Sequence, residues 1–120
     1  MEYSLPINDR AFNAIQKGTK KVEGRVPHQK DDLYSKMKQG DVVDFENEAT
    51  KEHLKVRIEF VHHYPSIQSM LETEGVENVL SSEPKTVEHG IESYHSFSGY
   101  KENVVKFGIY AIGLKTTREN

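Results

Sequence analysis

Leu54-Lys55-Val56-Arg57-Ile58-Glu59-Phe60 alternates apolar and charged residues without a break. Successive side chains of a strand point to opposite faces, so this period of two sends Leu54, Val56, Ile58 and Phe60 to a core and the charged residues to water. Immediately upstream, residues 47–52 have the composition of a tight turn. They join this run to residues 41–46, where Val43 and Phe45 share a face, so the two strands form an antiparallel hairpin. Further upstream, residues 20–26 read as a strand. Residues 2–6 read as a shorter one, with Tyr3 and Leu5 on one side and Pro6 ending it. Downstream, residues 104–114 predict a last long strand with Val105, Phe107, Ile109 and Ala111 on one face.

Helices fill the intervals. Asn8 is a good N-cap for a helix carrying Ala11, Phe12 and Ile15, and Gly18 suits its C-terminus. Residues 26–39 are polar and mostly loop, with one helical turn around 33–37. Pro65 stops the central strand. Ser66 then caps a helix with Ile67, Met70 and Leu71 on one stripe, and Gly75 ends it. Residues 76–80 supply a further turn. Thr86 caps a helix bearing Val87, Ile91 and Tyr94, with Gly99 beyond its end.

Five short strands with unevenly spaced helices exclude a doubly wound sheet. They predict an α+β, mainly β fold: a small, partly closed β-barrel of about five to six strands with two to four short helices over its openings. The two long alternating runs then belong to one antiparallel or mixed sheet.

The 120 residues suit a single domain, and 35% hydrophobic residues supply one thin core. With no cysteine, disulfides and thiol nucleophiles are excluded. No apolar run nears the roughly 20 residues of a membrane span, and the first residues do not resemble a signal peptide, so a cytoplasmic location is expected. A net charge of −3 argues against a nonspecific polyanion binder. The charge is nevertheless uneven. Between residues 10 and 39, eight Lys and Arg residues face only Glu23, Asp31 and Asp32, whereas between 61 and 100 Lys85 stands alone against six glutamates.

The densest charge lies in Gly18-Thr19-Lys20-Lys21-Val22-Glu23-Gly24-Arg25. Charged residues around a single Val make a poor core but a good pocket lining, where Lys and Arg hold an anion or nucleobase and Glu moves a proton. Lys20, desolvated, suits a base or nucleophile, and Glu23 suits activation of a water. These two are the candidate catalytic residues. The competing reading is an ion-pair network at a barrel rim. Strict alternation puts Lys21, Glu23 and Arg25 on one face and Lys20 with Val22 on the other. Lys20 and Glu23 therefore meet only if the strand bulges or starts late. Arg25 fits a phosphate, a carboxylate or a base edge, or else a salt bridge to Glu23 or Asp41.

The six histidines show no metal-ligand spacing, so neither metal nor cofactor is expected. His62 and His63 point to opposite faces, and one of them is expected either to line the pocket or, as is more common, to be partly buried and satisfied by a backbone group. Lys21, Arg25, His63 and Tyr64 form the expected binding set. Tyr94 is first a core residue. Residues 96–100, with Phe97 and Tyr100, are better placed to stack on a base.

Gly18, Lys20, Val22, Glu23, Gly24 and Arg25, followed by Gly40 and Asp41 opening a strand, resemble the ASCH domain family (activating signal cointegrator homology) of the PUA-like superfamily. Tyr64, Ser66, Pro84, Thr86, Tyr94 and Gly108 extend the resemblance over nearly the whole chain. It implies a small β-barrel and RNA or modified-nucleoside chemistry. One bacterial branch hydrolyses the acetyl amide of N4-acetylcytidine with a Lys, a Thr and a Glu, and another member is described as a ribonuclease. That branch's Lys falls on Lys20, but Glu23 stands where it has Thr, and Thr19 lies on the far side of Lys20. Its acidic residue falls in the segment holding Glu72, Glu74 and Glu77. The expected function is a module binding RNA or a modified nucleoside. A small hydrolase of amide or phosphodiester bonds is the alternative. A third reading, a protein-interaction module in transcriptional regulation, predicts no ligand-sized pocket near Arg25.

Overall fold

The computed structural model describes residues 1–30 and 32–115; Asp31, counted in the charge balance, lies outside them. The order is β1 (Glu2–Ile7), α1 (Asp9–Lys17), β2 (Val22–Arg25), a 3-10 turn (Leu33–Lys36), β3 (Val42–Asn47), β4 (His53–Tyr64), α2 (Ile67–Glu74), α3 (Val76–Val79), α4 (Val87–His95), α5 (Tyr100–Phe107) and β5 (Ile109–Lys115). The strands form one curled, half-barrel sheet in the order β1-β3-β4-β5-β2. β1 runs parallel to β3, and the other pairs are antiparallel. The expected barrel-like α+β architecture is therefore what the chain forms, and of the two expected pairings, antiparallel or mixed, the sheet is mixed. No helix among the described residues is long and apolar enough to cross a membrane.

Caps fix the helix ends where the side chains allow. Asn8 accepts from the Ala11 amide, Ser66 and Ser69 form a reciprocal capping box, and Thr86 accepts from the His89 amide. Gly18, at φ 86°, closes α1 in the left-handed conformation that an L side chain resists.

The sheet is buried on both faces around β5. One face packs Leu5, Ile7, Val43, Phe45, Val56, Ile58, Ile112 and Leu114 against Ala11, Phe12 and Ile15 of α1. The other packs Val22, Ile109 and Ala111 against α2, α3, α4 and α5. A bulge in β4 between Ile58 and Phe60 changes which side chains face which core. Val61, not Phe60, continues the first face, and Phe60 packs on the second. Perfect alternation in the sequence does not reveal a residue skipped by the ladder.

Other boundaries also differ from the reading of the sequence. Pro6 does not end β1, which runs on through Ile7; β1 is an edge strand, where a missing N–H is tolerated. β2 starts at Val22 rather than at 20. Residues 104–107 are helical, and Val105 is 84% exposed. The period-two pattern there mimics a strand, but Gly108, at φ 75°, breaks the segment into a helix followed by β5.

Candidate functional site

β2 is the outermost strand on one side of the sheet and β1 on the other. The sheet curls until these two edges come within side-chain reach, and Arg25 Nη2 donates to the Pro6 carbonyl at 2.7 Å. A cavity of about 200 Å³ opens along this seam. Its floor is Lys20, Glu23, Gly24 and Arg25. The cavity is also lined by the polar residues Asn8, Arg10 and Ser81 and by the aromatic residues Tyr94, Phe97 and Tyr100.

The late start of β2 lets Lys20 meet Glu23. The amides of Thr19 and Lys20 both still bond to the Ala14 carbonyl at the end of α1, and the Lys21 amide bonds to Asn78. Lys20 therefore escapes strand alternation. Its Nζ lies 3.3 Å from Glu23 Oε1 and also donates to the Val79 carbonyl. Arg25 Nε takes the other oxygen, Glu23 Oε2, at 2.8 Å. Strand alternation does place Glu23 and Arg25 on one face. Arg25 pairs with Glu23 and not with Asp41, whose carboxylate instead receives the N-terminal amine and the Lys38 amide.

All three side chains are nearly removed from water. Burial lowers the pKa of Lys20, and Glu23 offsets this only in part. Burial pushes Glu23 up, but the Lys20 ammonium and the Arg25 guanidinium outweigh it and hold the carboxyl below its ordinary value. Burial also opposes the charge of Arg25, and the Glu23 carboxylate more than restores it. Glu23 is thus an ionised acceptor clamped between two cations. A carboxylate so stabilised is a weak base, and an ammonium pinned to a carboxylate and a carbonyl is a poor nucleophile.

The aromatic wall closes the free edge of β2. The hydroxyls of Tyr94 and Tyr100 meet the backbone at Gly24 and Val26. Gly24 leaves room for this: a Cβ there would lie 2.6 Å from the Tyr94 hydroxyl. Burial raises the Tyr94 hydroxyl well above its ordinary pKa and pushes Tyr100 up to about 12, so both stay neutral. Phe97 packs edge-on against both rings yet is 40% exposed, at the mouth of the cavity.

The remaining residues of the expected set lie elsewhere. Lys21 is exposed and lines a second cavity with Ile15, Leu54 and Leu114. His63 is bonded through Nε2 to the Phe107 carbonyl at 2.7 Å and lies against Tyr110. Tyr64 donates to Glu74 at 2.5 Å, and Glu74 also holds His62 at 2.7 Å. Glu74 therefore belongs to a separate cluster on the other side of β4. Arg10, Ser81 and Asn8 were not legible as site residues, because their approach to β2 depends on the sheet's closure. The sequence marks Asn8 only as a helix cap and Arg10 only as part of the basic stretch 10–39, and no pattern singles out Ser81.

Comparison with known proteins shows the family and the fold. A family model described as ASCH domain matches residues 5–118. The fold superposes on the crystal structure of a hypothetical protein, PH0355, with a TM-score of 0.82 and 33% identity, over 96% of this chain and 98% of that one. It also superposes on the solution structure of protein PF0455 from Pyrococcus furiosus, with a TM-score of 0.75 and 34% identity, over 99% and 100% of the two chains. No curated protein matches.

Proposed function

Because the chain belongs to the ASCH domain family, we propose that it binds RNA or a modified nucleoside in the cleft floored by Lys20, Glu23 and Arg25. The observation that carries this reading is the convergence of a buried Lys–Glu–Arg cluster and a half-exposed aromatic on one small cavity. Donors and an ionised acceptor lie side by side at fixed spacing, which suits the edge of a planar heterocycle, and Phe97 offers a stacking face. At about 200 Å³ the cavity is below the roughly 300–1,000 Å³ of pockets for drug-sized ligands, so it takes one base and not several. Lys21, His63 and Tyr64 lie outside this cleft. In this reading they serve at most a longer strand running over the surface.

Titrating the protein with ribonucleosides, N4-acetylcytidine and short single-stranded RNAs, followed by NMR and calorimetry, tests the proposal. Phe97→Ala should weaken binding by about 1–3 kcal/mol, the usual value of one stacked base, and leave the fold intact. Arg25→Lys should weaken it as well. Affinity indifferent to both changes, or shifts mapping away from the cleft, overturns the reading.

A second reading, hydrolysis, rests on the Lys20–Glu23 contact. With Glu where the amidohydrolase branch has Thr, attack falls to water, and Glu23 is held too acidic to be an efficient base. Lys20→Met and Glu23→Gln should then abolish turnover of N4-acetylcytidine or RNA, a far larger loss than the weakening of binding that either change causes. Absence of turnover in the wild-type protein at high concentration leaves the binding module alone.

A further inference from the structure

The lining of the cleft combines two chemistries. Tyr94 of α4, Tyr100 of α5 and Phe97 between these helices are the aromatic part. Asn8, Arg10, Ser81 and Ser82, from the start of α1 and the segment after α3, are the polar part. Its groups are joined but not exhausted. Arg10 Nε reaches Ser81 Oγ at 3.5 Å, which leaves the terminal guanidinium nitrogens without a partner among the described residues. Accepting from Arg10 frees the Ser81 hydroxyl proton to point elsewhere. Asn8 spends Oδ1 on the Ala11 amide, and its amide nitrogen likewise has no partner among the described residues. Ser82 Oγ is held by His89 Nε2 at 3.2 Å.

Charge favours an anion here. On the floor, the Lys20 and Glu23 charges offset each other, while Arg25 and Arg10 add positive charge. Lys85 lies close enough to be felt at Lys20. Glu48, exposed on the rim, is the one lining carboxylate besides Glu23. A guanidinium fork, a hydroxyl and a primary amide line one cavity with a stacking face, and that is the donor set of a phosphate site.

Resting on the binding reading above, we propose that the occupant is a nucleotide unit and not a bare nucleoside. Its base lies against Phe97 and Tyr100, and its phosphate is held by Arg10, Ser81 and Asn8. The cleft thus takes a 5′-phosphorylated nucleoside or the corresponding unit of an RNA chain, and the phosphate contact sets its orientation.

Affinities for the four ribonucleosides, their 5′-monophosphates and inorganic phosphate, measured by calorimetry on the full chain, test this. The wild-type protein should bind at least one monophosphate about tenfold or more tightly than its nucleoside, and the margin should shrink with added salt. Arg10→Gln should abolish that margin, and Ser81→Ala should reduce it. Arg10 is exposed, and circular dichroism checks that both variants fold. Equal affinity for nucleoside and monophosphate, or a margin that survives Arg10→Gln, overturns the phosphate site while leaving nucleoside binding standing. If none of these probes nor short RNA binds, the binding reading falls and takes this inference with it.

Discussion

Glu23 carries one negative charge between two buried cations, so removing either side of the arrangement has unequal consequences. Glu23→Ala leaves Lys20 and Arg25 facing each other without a counter-ion, and should cost about 3–5 kcal/mol in urea unfolding. Lys20→Met leaves Glu23 paired with Arg25 and forfeits only the contacts to Glu23 and the Val79 carbonyl, so about 1–3 kcal/mol is expected. The reverse ranking would mean that Lys20, not Glu23, organises the site. The pKa of Glu23 is depressed in the folded protein, so its stabilisation is fully present above the ordinary carboxylate value of about 4.3. It is lost as pH falls from there through the lower folded value. Lys20 has the opposite linkage. Its lowered pKa penalises the charged form, and the penalty is relieved as pH rises from the folded value toward about 10.4. Stability measured against pH should therefore lose part of its acid slope in Glu23→Gln and its alkaline gain in Lys20→Met. Parallel curves for wild type and both variants would contradict these shifts.

At the scale of elements, the junction of α5 and β5 shows how one residue separates two structures with the same apolar pattern. Gly108 sits at φ 75°, and a Cβ there would lie 2.5 Å from His63 Nε2 and closer still to the Tyr64 carbonyl. Gly108→Ala should cost at least the 1–3 kcal/mol of such backbone strain, with more from the contact with β4. Val105, which the alternation assigns to the core, points into solvent on α5, and Val105→Lys should change stability by less than about 0.5 kcal/mol. Thermal melts of the two variants check both expectations. A large loss at Val105 would restore the strand reading. The alternation of residues 54–60 marks a strand, and the caps at Asn8, Ser66 and Thr86 are likewise legible, because these signals are local. The bulge at Glu59 is not, since it depends on which residues of β5 stand opposite.

For the whole molecule, the important contact is the one between the two outer strands. Arg25 reaches from β2 to the Pro6 carbonyl of β1, strands that share no ladder, and the cleft lies beneath that bridge. Arg25→Lys keeps a charge beside Glu23 but loses the fork that serves Glu23 and Pro6 together. Amide hydrogen exchange should then accelerate in β1 and β2 more than in β4, which is paired on both sides. A uniform change across the sheet would show that the edges are held together without Arg25.

Local patterns in the sequence are enough for the strands around the 47–52 turn, three capped helices, a barrel-like sheet left open between antiparallel and mixed, and the charged segment 20–25 as the place to look for a site. These follow from periodicity, caps and turn chemistry, which act over a few residues. Tertiary structure decided which of those charges meet. Lys20 joins Glu23 because α1 still holds its backbone when pairing with β5 has yet to begin. Arg10, Ser81 and Phe97 reach the same cavity because the sheet curls until its edges approach. Such contacts span tens of residues, and no local pattern encodes them, because the free energy that favours them comes from closing two apolar faces around one sheet.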